Sequence, residues 1–351
     1  MPMNDALPTI IDHEPSEIAL PAHLVESAKA FQREALAERT RQTYADAWKL
    51  FLAWCATMVR RPLPASPESV AAWLTELATG ADGRKPRSAA TVRLYLASIA
   101  YMHKISGAEF STGHPEIKAA VAGINRTKAK TDIPRRAKPI LADDLRLMLK
   151  RFDPLKAGDA RDGAMLALGW SGAMRRSEII CLDWERLGEG MGFVRVDDRG
   201  VEVTLMVSKA SQDAATVIAI PAADMPAATE WLQHWAKAAN LQPGEPAFLQ
   251  VSRVGKITRK RITDRTVSDR IKVRVGAYGR AAGKTQEQVA ELVRQSSGHS
   301  LRRGFCTTAS EKGISLEVMA SHTRHASLST LKAYIDTANK WRRSALKDIG
   351  F

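Results

Sequence analysis

Residues 297–302 read Ser297-Gly298-His299-Ser300-Leu301-Arg302, and downstream stand Arg324-His325 and then Tyr334. His299 and Arg302 are one helical turn apart, so a helix here points both side chains the same way. No other histidine in the chain has an arginine three positions on. The ordered set places groups that donate to phosphate oxygens ahead of one phenol that can attack phosphorus. That implies chemistry at a phosphodiester.

Phosphodiester transfer without a metal needs a nucleophile, donors around the non-bridging oxygens and an acid for the leaving oxygen. Upstream, Ser171-Gly172-Ala173-Met174-Arg175-Arg176-Ser177-Glu178 reads as a turn from one helix into the next. Such a turn aims Arg175 out of a helix N-terminus. Glu178 lies three residues on, on the same face, and either holds Arg175 in place or makes an ordinary surface ion pair with it. Lys209 follows a strand over 201–207, at the start of a hairpin loop. It is either a mobile general acid or one more exposed lysine. His325 reads equally as a helix-capping or core histidine, and Tyr334 as a half-buried aromatic. His322 and His325 are spaced i, i+3, but no Cys, Asp or Glu follows at ligand spacing, so no metal site is expected. No Gly-x-x-x-x-Gly-Lys-Ser/Thr loop is present, so no nucleotide cofactor is expected.

Composition agrees with a polyanionic partner. The 351 residues carry 52 Lys plus Arg against 38 Asp plus Glu, a net charge of +14. No basic amphipathic anchor stands out, and no apolar run approaches the roughly 18–20 residues of a membrane span. The N-terminus lacks the pattern of a signal peptide. Cys55, Cys181 and Cys306 are scattered, which points to reduced thiols and a cytoplasmic location.

Residues 1–20 carry Asp5, Asp12, Glu14 and Glu17 and no Lys or Arg, and are expected to be a disordered acidic tail. Residues 21–126 are expected to form a bundle of four or five helices. Tyr44, Trp48, Phe51, Leu52 and Cys55 make one stripe, and Val92, Tyr95, Leu96, Ile99 and Met102 another. Ser66-Pro67 is a helix start, serine at the N-cap and proline at the first position. Residues 127–139, TKAKTDIPRRAKP, read as a basic linker, either a solvated spacer or a strap along phosphates. The rest, 140–351, is mixed. Helices are expected near 141–152, 157–171, 175–183, 225–239, 264–280, 285–295, 299–312, 315–322 and 328–335, with strands at 193–196, 201–206 and 215–220. A last helix over 341–349 places Trp341, Ala345 and Ile349 on one stripe. It either packs on its own domain or docks into a neighbouring subunit.

The order and spacing of these motifs resemble the tyrosine recombinase (phage integrase) family. Length and two-domain layout resemble its Cre-type members. Gly172-Ala173-Met174-Arg175-Arg176-Ser177-Glu178 is similar to the family's first Arg motif, and its Arg-x-x-Glu spacing selects Arg175. Gly298-His299-Ser300-Leu301-Arg302 is similar to the His-x-x-Arg motif, and Val207-Ser208-Lys209 to the hairpin lysine. Arg324-His325 takes the Gly-His position, and Tyr334 the place of the nucleophile. Arg324 departs from the usual Gly, and the loop after Lys209 carries Gln212 and Asp213.

The resemblance implies a mainly α fold with a small antiparallel sheet: a SAM-like helical core-binding bundle followed by a catalytic domain. It implies that Tyr334 attacks the scissile phosphate, giving a 3′-phosphotyrosyl bond and a free 5′-hydroxyl. Arg175 and Arg302 would hold non-bridging oxygens, His299 and His325 would donate further hydrogen bonds, Glu178 would orient Arg175, and Lys209 would protonate the leaving oxygen. The implied partners are double-stranded DNA and a homo-tetramer on paired sites in a prokaryotic cytoplasm, without cofactor. Arg41, Arg93, Lys128 and Arg136 are candidate DNA contacts, solvated surface charge being the alternative. Two other functions share features of the sequence: a type IB topoisomerase, and a DNA-binding regulator with a vestigial site. The complete motif set speaks against the second.

Overall fold

The computed structural model describes residues 21, 23–24, 26–27, 38–81, 83–132, 137–206, 215–324 and 331. The acidic tail, Lys209, Arg136, His325, Tyr334 and the 341–349 segment lie outside them. The chain divides into two compact units, Met1–Pro134 and Arg135–Phe351.

In the first unit α1 (Glu38–Thr57), α2 (Pro67–Thr79), α3 (Ala89–Ile105) and α4 (Pro115–Thr131) surround one core. Both apolar stripes point inward. Phe51, Cys55, Val92, Leu96 and Ile99 are buried with Trp73, Leu74 and Ile117, whereas Leu52 is exposed. Ser66 caps α2, its side chain accepting from the Ser69 N–H, and Pro67 occupies the first helical position. His103 is fully buried. Its Nε2 accepts from the Ala65 N–H at 2.8 Å while Nδ1 donates to the Ile99 carbonyl at 2.8 Å. α4 continues to Thr131, into the segment whose composition suggested linker. Its final turns carry Lys128 and Lys130, cations that favour a helix C-terminus.

The second unit is built around α6 (Ala157–Ser171), which is buried on every side from Ala160 onward. A helix apolar all round belongs at the centre of a domain. α5 (Ala142–Leu149), α7 (Arg176–Ile180) and α8 (Pro226–Ala239) pack around it. A four-stranded sheet follows, in the order β1 (Leu182–Trp184), β2 (Gly192–Asp197), β3 (Gly200–Leu205), β4 (Thr216–Pro221). β2–β3 and β3–β4 are antiparallel, with Val194 opposite Val203 and Val203 opposite Ile218. β1 runs parallel to β2, so the sheet also contains a short strand where the sequence suggested helix. The hairpin β5 (Leu249–Val251)–β6 (Ile257–Arg261) precedes α9 (Asp264–Ala281), α10 (Gln286–Gln295), α11 (His299–Glu311) and α12 (Leu316–Thr323). The fold is mainly α with a small sheet.

An ion cluster ties α6 to α9. Fully buried Asp162 accepts from Arg161 at 2.7 Å, from Arg270 at 2.8 Å and from Arg274 at 2.6 Å. Burial alone would raise this carboxyl, but Arg161, Arg270 and Arg274 outweigh it and hold the pKa below the usual carboxylate value. With the folded pKa depressed, the stabilisation is present above the unfolded value near 4 and is lost as pH falls through the folded one. Asp162→Asn is therefore expected to cost about 3–5 kcal/mol at neutral pH, because three guanidiniums lose their anion. It is also expected to flatten the acid limb of stability. Urea unfolding between pH 3 and 7 measures both; an unchanged acid limb would remove Asp162 from the account.

Candidate functional site

The turn between α6 and α7 is the platform of the site. Ala173 takes a left-handed backbone, φ 45°, and the carbonyls of Ser171, Gly172 and Ala173 are met by side chains from far along the chain. The His322 Nε2–H donates to Ser171 O at 2.6 Å. Arg324 donates to Gly172 O at 3.1 Å, and Arg302 to Ala173 O at 2.7 Å. Three successive main-chain acceptors thus gather residues from α11 and the end of α12 onto the loop that precedes Arg175.

Arg175 is the N-cap of α7, and Glu178 lies one turn into that helix. Glu178 accepts from the Arg175 N–H at 2.8 Å and from its guanidinium at 2.5 Å. The carboxylate is 5% exposed, so this is a buried clamp and not a surface pair. Arg324 donates to Glu178 Oε2, the oxygen that also takes the Arg175 N–H, at 2.9 Å. Burial would push the Glu178 pKa up, but Arg324 and Arg175 overcome it and the net shift is downward.

Arg302 is 2% exposed on α11. Burial, then the repulsion of Arg175, pushes its pKa down to about 10. Its Nη2 is buried without a hydrogen-bond partner among the described residues. A buried unpaired donor costs about 1–3 kcal/mol. One beside a second guanidinium makes a pocket that an oxyanion would complete. His299 opens α11 and is solvent-accessible. Partial burial, then Arg176, Arg302 and Arg175, lower its pKa, so the imidazole is neutral at neutral pH. Gly298, before it, is required by close approach: a Cβ there would lie 1.9 Å from Arg176 Cγ. Arg176 itself donates to Ser268 Oγ at 2.8 Å, whereas Arg175 bonds to Glu178.

The structure brings together Arg175, Glu178, Arg302 and His299. Arg41 is paired with Glu38 and Arg93 with Asn125 in the first unit, while Lys128 is half-buried on α4. His322, weighed above as half of a metal pair, is committed to Ser171 O and stacks on Phe305 with ring centroids 4.6 Å apart. Sequence reasoning marked Arg324 only as a departure from Gly. Its burial and its bonds to Glu178 and Gly172 have no local signal, because the acceptors lie far upstream. Leu331 is fully buried and packs with Cys306 and Ala309, one and two turns beyond Arg302 on α11, and with Met319 on α12.

Residues 138–340 match the Phage integrase family. The integrase/recombinase xerD homolog of Selenomonas ruminantium is 31% identical over 327 residues, covering 91% of this chain and 87% of that protein. The tyrosine recombinase XerC of Escherichia coli is 28% identical over 255 residues, 72% of this chain and 71% of that one. Among solved structures, the integrase of the Tn1549 transposon in complex with transposon right end DNA aligns with a TM-score of 0.57 at 12% identity, over 93% of this chain and 96% of that one. A lambda integrase dimer bound to a COC′ core site aligns with a TM-score of 0.51 at 17% identity, over 92% and 77%. At these identities the two structures show the fold. The family match and the relatives show more: the chain belongs to the phage integrase family, the tyrosine recombinases.

Proposed function

We propose that the chain is a site-specific DNA recombinase that cuts and rejoins duplex DNA through a 3′-phosphotyrosyl bond at Tyr334. The observation that carries this reading is the convergence of Arg175 and Arg302, the latter buried with an Nη2 that has no partner among the described residues. A planar guanidinium binds two phosphate oxygens where an ammonium binds one. The complexes of the Tn1549 and lambda integrases with DNA support duplex DNA as the partner.

In the proposed reaction the Tyr334 oxygen attacks phosphorus and the bond from phosphorus to the 5′-oxygen breaks. Neutral His299 is suited to take the phenolic proton. Lys209 gives a proton to the leaving 5′-oxygen. Arg175 and Arg302, with His325, stabilise the charge that builds on the non-bridging oxygens. The phosphotyrosyl bond conserves the phosphodiester, so a second strand's 5′-hydroxyl restores it without ATP or metal. Chain geometry supports the nucleophile: three residues span at most about 11 Å, and Leu331 is anchored against the helix that bears Arg302. Strand exchange between two sites calls for four copies, with the 341–349 segment as the docking element. Arg41, Arg93, Lys128 and Arg136 are proposed phosphate contacts, whose removal would make binding less salt-dependent. The proposed place of action is the DNA of a prokaryotic cytoplasm, in keeping with the bacterial relatives.

The test is a pool of nicked duplexes with randomised sequence around the nick, incubated in EDTA and quenched in detergent. A protein–DNA adduct that survives boiling is expected, its DNA converging on one sequence. Mass photometry of duplexes bearing that sequence then reads the four-copy assembly. Relaxation of arbitrary plasmids by a monomer would support the topoisomerase reading instead, and no adduct at all would end both.

A further inference from the structure

Arg324 ends α12 in the left-handed region, φ 55° and ψ 47°. That backbone suits glycine, and a residue with a Cβ is there at a conformational cost. The side chain is nevertheless buried, at 8% exposure for the residue. It donates to Glu178 Oε2 at 2.9 Å, to Gly172 O at 3.1 Å and to His322 O at 3.1 Å. A further contact reaches Ala173 O at 3.5 Å, the carbonyl that also takes Arg302. One guanidinium thus spans the carboxylate that holds Arg175 and the loop that holds Arg302.

We propose that Arg324 is a positioning residue for strand transfer: by occupying one oxygen of Glu178 it leaves the other to the Arg175 guanidinium and fixes where that guanidinium points. The inference rests on the recombinase reading and deepens it. With Oε2 taken by Arg324 and the Arg175 N–H, and Oε1 by Arg175 Nη1, Arg175 cannot fold both of its arms onto the carboxylate. The remaining N–H groups stay available for a phosphate. Among the described residues, the charged and titratable groups facing Glu178 are Arg175 at the start of α7, Arg302 on α11, Arg324 at the end of α12 and the Cys181 thiol. Of the single interactions that hold Glu178 ionised, the charge of Arg324 comes first, ahead of each of the three made by Arg175.

The experiment compares adduct formation by wild type, Arg324→Gln and Arg324→Lys across pH, on the duplex selected from the nicked pool. Both substitutions keep a Cβ at this backbone, so its conformational cost cancels. Arg324→Gln keeps donors for the carbonyls but drops the charge. It is expected to slow cleavage about 10- to 100-fold, as misplacement of a reacting group does, with little change in DNA affinity. Its acid limb is expected to move to higher pH, because Glu178 with one of its two bonded cations removed protonates earlier. Arg324→Lys is expected to keep the wild-type limb. Should Arg324→Gln not fold, Arg324→Gly, which relieves the backbone, carries the same expectation. A wild-type rate and pH profile in the charge-free variant overturns the proposal while leaving the recombinase reading in place. So does the failure of both to fold, which would make Arg324 a core cap. Absence of adduct in wild type itself would instead sink the reading beneath it.

Discussion

Tyr334→Phe is expected to abolish the covalent DNA adduct and all recombinant product, a loss of roughly 10⁴-fold or more. DNA affinity should stay near wild type, because phosphate contacts by lysine and arginine dominate it. The ring is retained and one oxygen is removed, so a structural role would leave activity standing. The other tyrosines are poor substitutes. Tyr278 donates to Asp144 at 2.8 Å, and burial with that bond pushes its pKa up to about 12. Tyr44 packs on Tyr101 and Tyr95 on Trp73, in the first unit. An adduct that persisted in Tyr334→Phe, mapped by peptide mass to another side chain, would overturn the assignment.

Arg302→Met is expected to move activity and stability in opposite directions. The substitution approximately keeps a long, unbranched apolar stem and removes a guanidinium buried beside Arg175 and Arg324. Removing one transition-state donor of this kind costs about 10²–10³ in rate. Melting should stay level or rise, because a repelling buried charge whose Nη2 has no partner among the described residues has gone. Millimolar phosphate should stabilise wild type by filling the pocket and should leave Arg302→Met unchanged. Differential scanning fluorimetry with and without phosphate reads both effects. A variant that melts lower, or that phosphate still stabilises, would show that Arg302 holds the core and not the anion.

Local spacing made half of the site legible. Arg175 and Glu178, or His299 and Arg302, meet because three positions make nearly a turn. Ser66-Pro67 likewise declares the start of α2 by cap chemistry. What stayed hidden is non-local. β1 is three residues long and owes its existence to β2, with which it pairs in parallel; nothing within Leu182–Trp184 separates it from the end of a helix. The β5–β6 hairpin is local, but its strands of three and five residues are too short to show a period. Arg324 could be seen as a departure from glycine, but its partners Gly172 and Glu178 come from the other end of the domain. His322 is discounted as a ligand for want of further ligands at the right spacing, but its partner, the Ser171 carbonyl, cannot be read from nearby residues.

The turn over Ser171, Gly172 and Ala173 receives its visitors through peptide oxygens alone. Every amino acid owns such an oxygen. Exchange of side chains within this short stretch, at least where the backbone path and the packing at Ala173 permit, leaves the reception intact. Insertion or deletion of a single residue displaces three guests at once. Descendants of this protein should therefore vary there in spelling while keeping the word the same length, and a designer seeking new variants has substitutions to try in that stretch but no indels.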